Sequence, residues 1–303
     1  MNEAQHAVSD KGNQKTWAGV TIGTSRMHRW LIAVLRHTDV RIWYVFAAIF
    51  VVPPCIVFRP GGRHIYRFFR QRFNYSPLKA AWKTYANHCL FSQVVIDRFA
   101  MYAGKHFRTE MDGYEHYKKL TAGSAAFVQL SAHIGNYELA GYTLTADTKP
   151  FNALVFAGEK ATVMTNRDRL FHHSNIRMIA VKSDMSHIFE IERVLQNGET
   201  VSMPADRMLG SKKSLRLPFL GKEAAFPQGP FSVAAMHSLD VLTVNVMKTA
   251  PLRYKIIIRP LDYDKAAPRK AQISQLAKAY VAELERIVRR YPTQWYNYFD
   301  FWA

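Results

Sequence analysis

Beyond about residue 124, short apolar runs alternate with stretches of helical periodicity. Strands that alternate with helices of ~10–15 residues predict βαβ units and a largely parallel sheet. We therefore predict an α/β fold in which a largely parallel central sheet is flanked by helices. The predicted strands are 124–132, 151–156, 176–181, 200–204, 239–248 and 254–261, and the predicted helices are 136–144, 160–173, 185–198 and 271–290.

The first 75 residues have a different pattern. Residues 1–16 are polar and predict a disordered tail, whereas 17–75 predict a basic, membrane-associated helical region. Within it, IWYVFAAIFVVPPCIVF (42–58) contains no charge, and a spanning helix needs ~20 apolar residues. The pair Pro53 and Pro54 would break or kink a helix there. A membrane span, a segment lying on the membrane surface and a buried core helix all remain open.

Two further segments are rich in aromatic residues. In RHIYRFFRQRF (63–73) arginines and rings are interleaved, as in an interfacial helix whose rings enter the headgroup region. Stacking on nucleic acid, or a helix with one buried aromatic face and a solvated basic face, would also fit. The nearby apolar run favours membrane over nucleic acid. The tail 291–303 holds seven aromatic residues, which suits either a membrane-interface belt or a tail packed into the core.

The composition narrows the class of partner. The chain has 303 residues, 49% hydrophobic, and a net charge of +18, so it can form a sizeable core and favours an anionic partner. Membrane lipid, nucleic acid and a phosphorylated substrate all qualify. The two cysteines, Cys55 and Cys89, belong to no CxxC or Cys/His cluster, so no disulfide framework or zinc site is expected.

The segment QLSAHIGNYELAG (129–141) is the strongest candidate for chemistry. His133 follows a predicted buried strand, and ligands bind beyond the carboxyl ends of parallel strands. Gly135 allows a tight turn, Asn136 is a good N-cap, and Glu138 falls in the first helical turn. A carboxylate on one imidazole nitrogen would make the other nitrogen a better base. A polar corner beside a capped helix is the alternative.

Other common catalytic motifs are missing from the sequence. There is no G-x-S-x-G elbow, Walker motif or G-x-G-x-x-G. Asp97, Asp168 and Asp184 have no neighbours at metal-ligand spacing. Direct attack by a bound acceptor on an activated acyl group is therefore the simplest use of His133 and Glu138.

These residues resemble a known family. HIGNYE (133–138) is similar to the His-x4-Asp/Glu motif of the lysophospholipid acyltransferase superfamily, in the form found in lipid A biosynthesis (lauroyl/myristoyl-type) acyltransferases. The segment 204–243 resembles that family's Asp-containing turn, Pro-Phe-x-Gly hairpin and Pro-x-Gly segment, in order. The ending 291–302 resembles a predicted-acyltransferase branch. Asp206 precedes Arg207, where the lipid A enzymes more often have Gln. This departure argues against lipid A itself as the acceptor.

The resemblance implies an acyltransferase domain over 76–303 that moves a fatty acyl group from an acyl-carrier-protein or coenzyme A thioester to a hydroxyl or amine of a lipid or glycolipid. His133 would deprotonate the acceptor, and Glu138 would orient His133. Arg207, or backbone amides near Gly135, would meet the negative oxygen of the tetrahedral intermediate; a structural ion pair is the alternative for Arg207. The implied substrate-binding residues are Gly135, Asn136, Asp206, Pro227 and Gly229.

The expected setting is the cytoplasmic face of an inner membrane. The expected partners are the phospholipid surface, the thioester donor, which is a co-substrate, and the acceptor. No cofactor, metal or nucleic acid is expected. Two alternatives stay open: a basic nucleic-acid-binding module, and a membrane scaffold of the same fold without activity.

Overall fold

A computed structural model of the chain describes residues 24–144, 149–156, 175–181, 184–208 and 213–302. The predicted tail 1–16 and the predicted helix 160–173 lie outside the described residues. The amino-terminal part is helical. Its elements are α1 (Ser25–His37), α2 (Val40–Phe46), a π-helical turn (Ala47–Val51), α3 (Val52–Phe58), α4 (Gly61–Arg72) and α5 (Pro77–Tyr102).

A seven-stranded sheet forms the centre of the remainder, with a separate two-stranded hairpin. Its strands are β1 (Arg108–Asp112), β2 (Phe127–Ser131), β3 (Phe151–Phe156), β4 (Ile176–Val181), β5 (Thr200–Pro204), β8 (Asp240–Ala250) and β9 (Arg253–Pro260), and the hairpin is β6 (Ser214–Phe219) and β7 (Lys222–Pro227). The order across the sheet is β1-β9-β8-β2-β5-β3-β4, and every neighbouring pair is parallel except β8 with β9. The predicted largely parallel sheet is confirmed.

Helices cover both faces of this sheet. Because side chains alternate along a strand, Phe127 enters one hydrophobic cluster while Val128 and Leu130 enter the other. Two helices, α6 (Tyr114–Ala122) and α7 (Tyr137–Thr143), pack on the first face. Three helices pack on the second: α8 (His187–Gln196), α9 (Gly229–Met236) and α10 (Arg269–Arg290). A 3-10 turn (Pro292–Gln294) follows α10.

The apolar segment is a continuous helix, and its prolines do not break it. Val40–Phe58 is the one helix among the described residues that is long and apolar enough, by length and composition, to cross a membrane. Pro53 and Pro54 lie in the first turn of α3, where a missing N–H is tolerated, and the π-helical turn precedes them. Most of its surface is exposed: Phe50 is 63% and Phe58 80% accessible. It is therefore not a buried core helix.

The two other aromatic segments pack inside the protein. In α4, Phe68 and Phe69 are buried while Arg63 and Arg67 are exposed. Phe68 contacts Trp295 of the tail, with ring centroids 5.1 Å apart. Of the alternatives left open for α4, the structure has the helix with one buried aromatic face and a solvated basic face. The tail is packed into the core as well and forms no interface belt.

Candidate active site

The site lies where two neighbouring parallel strands end. β2 and β5 pair in register, with Ser131 opposite Pro204. Each strand continues through one alanine to a polar residue, His133 after β2 and Asp206 after β5. The amide of Ala205 donates to the Ser131 carbonyl at 3.0 Å, which keeps the two chains together beyond the last strand pair. Register therefore brings His133 and Asp206 side by side at the carboxyl edge of the sheet.

Asp206 holds His133 at two points. Its Oδ1 lies 2.8 Å from Nδ1 of the ring, and its Oδ2 accepts the backbone N–H of His133 at 2.9 Å. Burial alone would raise the pKa of Asp206, which is only 1% exposed, but the contacts with His133 and the charge of Arg207 outweigh it and lower that pKa. An ionised carboxylate only accepts hydrogen bonds, so Nδ1 carries the proton and Nε2 carries the lone pair.

The free edge of the imidazole faces partly open space. The His133 side chain is 19% exposed, whereas that of Asp206 is 1% exposed. Among the described residues, Nε2 of His133 has no hydrogen-bond partner. The ring of Tyr137 stands beside the imidazole, with centroids 5.7 Å apart. Nε2 is therefore the atom that can take a proton from an incoming group.

Glu138 does not hold the imidazole. Its Oε1 forms an ion pair with Nε of Arg98 at 3.1 Å, and its Oε2 accepts from the Tyr102 hydroxyl at 3.4 Å. Both partners belong to α5, so Glu138 ties the start of α7 to that helix. The structure does not show the predicted contact between Glu138 and His133, and Asp206 is the carboxylate at Nδ1 of His133. Asp206 was predicted only as a substrate-binding residue.

Gly135 and Asn136 shape the corner after His133. Gly135 has φ +58°, and a Cβ there would lie 1.9 Å from the Val246 carbonyl oxygen, so only glycine fits. Its amide donates to the Gln294 carbonyl and that of Asn136 to the Val246 carbonyl, each at 2.8 Å. These two amides are thus engaged within the protein and do not point to an oxyanion. Asn136 precedes α7, but its side chain makes no cap hydrogen bond.

Arg207 lies beside the pair and contacts the tail. Its Nη2 donates to the Tyr296 carbonyl at 2.7 Å, and its guanidinium lies 5.5 Å from the centre of the Phe299 ring. Burial lowers the pKa of Arg207, and the charge of Asp206 opposes that shift. The predicted oxyanion role of Arg207 stays a prediction.

The aromatic tail forms one side of the site, which the sequence did not reveal. The amide of Tyr296 donates to the His133 carbonyl at 3.1 Å, and Trp295 forms an isolated bridge with Ile134. Tyr280 of α10 adds a hydrogen bond from its hydroxyl to the Ser131 carbonyl at 2.9 Å. The corner that carries His133 is therefore fixed by residues far along the chain.

The Pro-x-Gly segment lies at a strand–helix junction. Pro227 ends β7 and pairs with Ser214, and Gly229 begins α9. Their predicted part in substrate binding stays a prediction. Among the described residues, no group of three or more His, Cys, Asp or Glu side chains is arranged to hold a metal ion.

By its fold and its site, the chain is an α/β protein that carries a histidine–carboxylate pair at the carboxyl edge of its parallel strands. The model of the bacterial lipid A biosynthesis acyltransferase family matches residues 100–300. The chain belongs to this family, and it is an acyltransferase. The predictions of family, fold class and enzyme class are thus confirmed.

Comparison with solved structures finds a weak similarity. The 1-acyl-sn-glycerophosphate (LPA) acyltransferase, PlsC, from Thermotoga maritima is 17% identical, with a TM-score of 0.41 over 89% of this chain and 99% of that chain. No curated protein matches the chain.

Proposed function

We propose that this protein transfers a fatty acyl group from an acyl-carrier-protein or coenzyme A thioester to a hydroxyl or amine of a lipid or glycolipid. The observation that carries the proposal is the pair itself: a buried, ionised Asp206 fixes Nδ1 of His133 and leaves Nε2 accessible. Such a histidine is suited to remove a proton from an acceptor.

The reaction then runs in two steps. Nε2 of His133 takes the proton of the acceptor hydroxyl or amine as its oxygen or nitrogen attacks the thioester carbonyl carbon. The tetrahedral intermediate collapses, the carbon–sulfur bond breaks, and the thiolate takes the proton back from Nε2. Asp206 stabilises the imidazolium that forms in between. The products are the acylated acceptor and a free thiol.

Membrane association is the second part of the proposal. Ile42, Val45, Phe46, Ile49 and Phe50 recur at helical spacing and are 47–63% exposed. Trp30 and Trp82, 57% and 65% exposed, lie on neighbouring helices. We call these seven residues the apolar patch. Exposed arginines flank its segments in the sequence, Arg29 before Trp30, Arg41 before Ile42 and Arg59 after the apolar helix. An apolar surface with nearby basic residues fits an anionic lipid surface.

We further propose that the apolar helix lies in the plane of one leaflet. The opposite face of this helix, including Tyr44 and Ala47, packs on α5. α5 carries Lys79, Lys83 and Arg98, and charges in the hydrocarbon core are costly. A transverse orientation would draw α5 into the bilayer with the helix. The leaflet would be the cytoplasmic one of an inner membrane, where thioester donors are available.

The test is acyl transfer by the purified full chain. Radiolabelled lauroyl thioesters of acyl carrier protein and of coenzyme A are offered with vesicles of an inner-membrane lipid extract. We expect the label to reach a lipid with at least one donor. We expect His133→Ala to lower the rate of transfer by about 10²–10⁴-fold while the protein stays folded. A folded His133→Ala protein with wild-type transfer would refute the mechanism, and no transfer from either donor would count against the proposed substrates.

A further inference from the structure

A buried polar cluster lies between the apolar helix and the active-site corner. At its centre, the Asp97 carboxylate on α5 forms an ion pair with the Lys248 ammonium on β8. The hydroxyls of Tyr44 and Tyr254 donate to the same carboxylate. The Lys248 ammonium also lies 3.1 Å from the Tyr44 oxygen and 3.4 Å from the Tyr254 oxygen. All four residues are buried, Asp97 completely.

Stability alone is a weak explanation for such a cluster. Removing two charges from water costs about as much as their attraction returns, so apolar residues of similar volume often serve as well. Burial lowers the pKa of Lys248, and the Asp97 charge opposes that shift. What the cluster offers is geometry, because a carboxylate that accepts several hydrogen bonds fixes each donor in direction.

One end of the cluster reaches the active-site corner. The Asn136 side-chain amide donates to the Tyr254 oxygen at 3.3 Å, and its backbone amide holds Val246 two residues before Lys248. Asn136 follows His133 by three residues, through the glycine that has no room for a Cβ. A shift of Tyr254 or β8 therefore moves the corner.

The other end reaches the apolar helix. Tyr44 is 6% exposed, while its neighbours Ile42 and Val45 are 63% and 59% exposed. The helix thus presents the apolar patch outward and one hydroxyl inward. A second hydrogen bond, from the Tyr85 hydroxyl to the Ala48 carbonyl at 3.0 Å, ties the same helix to α5 without touching the cluster.

We propose that Tyr44, Asp97, Lys248 and Tyr254 are positioning residues that couple the packing of the apolar helix to the corner carrying His133. Changes in how the helix packs, as when it docks on lipid, then alter the placement of the catalytic imidazole. This inference deepens the proposed function and rests on it for its effect on turnover.

The experiment compares Tyr44→Phe with Tyr85→Phe in the full chain. Each removes one hydroxyl that links the apolar helix to α5, but only Tyr44 belongs to the cluster. Amide hydrogen exchange is followed in the peptide covering 133–140. We expect Tyr44→Phe to speed exchange at Gly135 and Asn136 by about five- to thirtyfold, the factor that corresponds to a loss of one or two kcal/mol, and Tyr85→Phe to leave it unchanged.

Turnover with lipid vesicles and the acyl thioesters gives a second readout. We expect Tyr44→Phe and Tyr254→Phe to lower kcat with KM unchanged, and Tyr85→Phe to retain the wild-type kcat. Equal effects of Tyr44→Phe and Tyr85→Phe, or unchanged exchange in Tyr44→Phe and Tyr254→Phe, would overturn the coupling. If the wild type transfers no acyl group, the proposed function fails, and the exchange measurement still decides whether the helix and the corner are coupled.

Discussion

Asp206 grips His133 twice, through the imidazole Nδ1 at 2.8 Å and through the backbone amide at 2.9 Å. The two bonds fix both the position and the rotation of the ring. Glu138, the acidic residue of the His-x4-Glu motif, instead pairs with Arg98. The structure therefore separates a carboxylate that orients His133 from one that secures the following helix.

This separation predicts unequal effects of two matched substitutions. Asp206→Asn removes the charge next to Nδ1 and lets the wrong ring tautomer form, so we expect acyl transfer to fall by about 10²–10⁴-fold. Glu138→Gln keeps the hydrogen-bonding shape at Arg98 and should retain a larger share of the rate. Initial rates with saturating acyl thioester, together with thermal unfolding of both variants, check this. A larger loss in Glu138→Gln would return the orienting role to Glu138.

Asp206 also predicts how stability depends on pH. Burial raises the pKa of Asp206 in the folded state, but the contacts with His133 outweigh burial, so that this pKa is lowered overall. A group with a lowered folded-state pKa stabilises the fold above its unfolded pKa, about 3.9, and loses that contribution as pH falls through the folded value. We expect the difference in unfolding free energy between wild type and Asp206→Asn to shrink as pH falls below about 4. Urea unfolding at pH 7 and at decreasing acid pH measures it, and a difference that grows on acidification would contradict it.

The sequence predicted the sheet better than it predicted the site. Short segments rich in apolar and β-branched residues, such as 127–131 and 200–204, carry their own signal, since a strand buried on both faces is largely apolar. His133 and Asp206 lie 73 residues apart in the chain. Spacing along one segment therefore favoured the nearer Glu138 as the partner of His133. A signal was present: each of the two strands is followed by an alanine and then by a polar residue, in SAH (131–133) and PAD (204–206).

Tertiary packing accounts for the other differences. The rings of α4 and of the tail were ambiguous because a membrane interface and a protein core reward the same aromatic side chains. Trp295 is 1% exposed because Phe68 and Phe219 surround it, and neither lies near it in sequence. β1 and α6 were not predicted, since Arg108–Asp112 is polar and half exposed at the edge of the sheet.

Gly135 should not tolerate a side chain. Gly135→Ala forces both a positive φ of 58° and a Cβ 1.9 Å from the Val246 carbonyl oxygen. The matched control is Gly221→Ala, which has φ +80° but nothing within 4 Å of the new Cβ. We expect the control to lose about 1–2 kcal/mol for the backbone conformation alone and Gly135→Ala to lose clearly more. Chemical unfolding of both variants separates the two effects, and equal losses would mean that the corner can move away from β8.

The substitution Arg207→Lys distinguishes two roles of this residue: stabilising the negative oxygen of the intermediate, or holding the Tyr296 carbonyl. If its guanidinium meets the negative oxygen of the intermediate, Arg207→Lys should lower kcat by about 10²–10³-fold with a small change in KM, as for one lost oxyanion donor. If it serves only to hold the Tyr296 carbonyl, the same change should lower the melting temperature and leave the kcat of the folded fraction nearly intact. Kinetics at a temperature well below unfolding distinguish the two outcomes.

The apolar patch predicts how the protein meets lipid. Phe50→Glu places a charge within this patch, and a carboxylate both loses apolar burial and repels anionic headgroups. Phe189→Glu is the control, because Phe189 is 80% exposed but lies on α8, which packs beside β5 and the edge strand β4. In flotation with vesicles that contain anionic phospholipid, we expect Phe50→Glu to lower the bound fraction about tenfold or more, since burying a Phe side chain is worth about 1.5–3 kcal/mol. Phe189→Glu should float like the wild type, and equal losses in the two variants would locate the docking surface elsewhere.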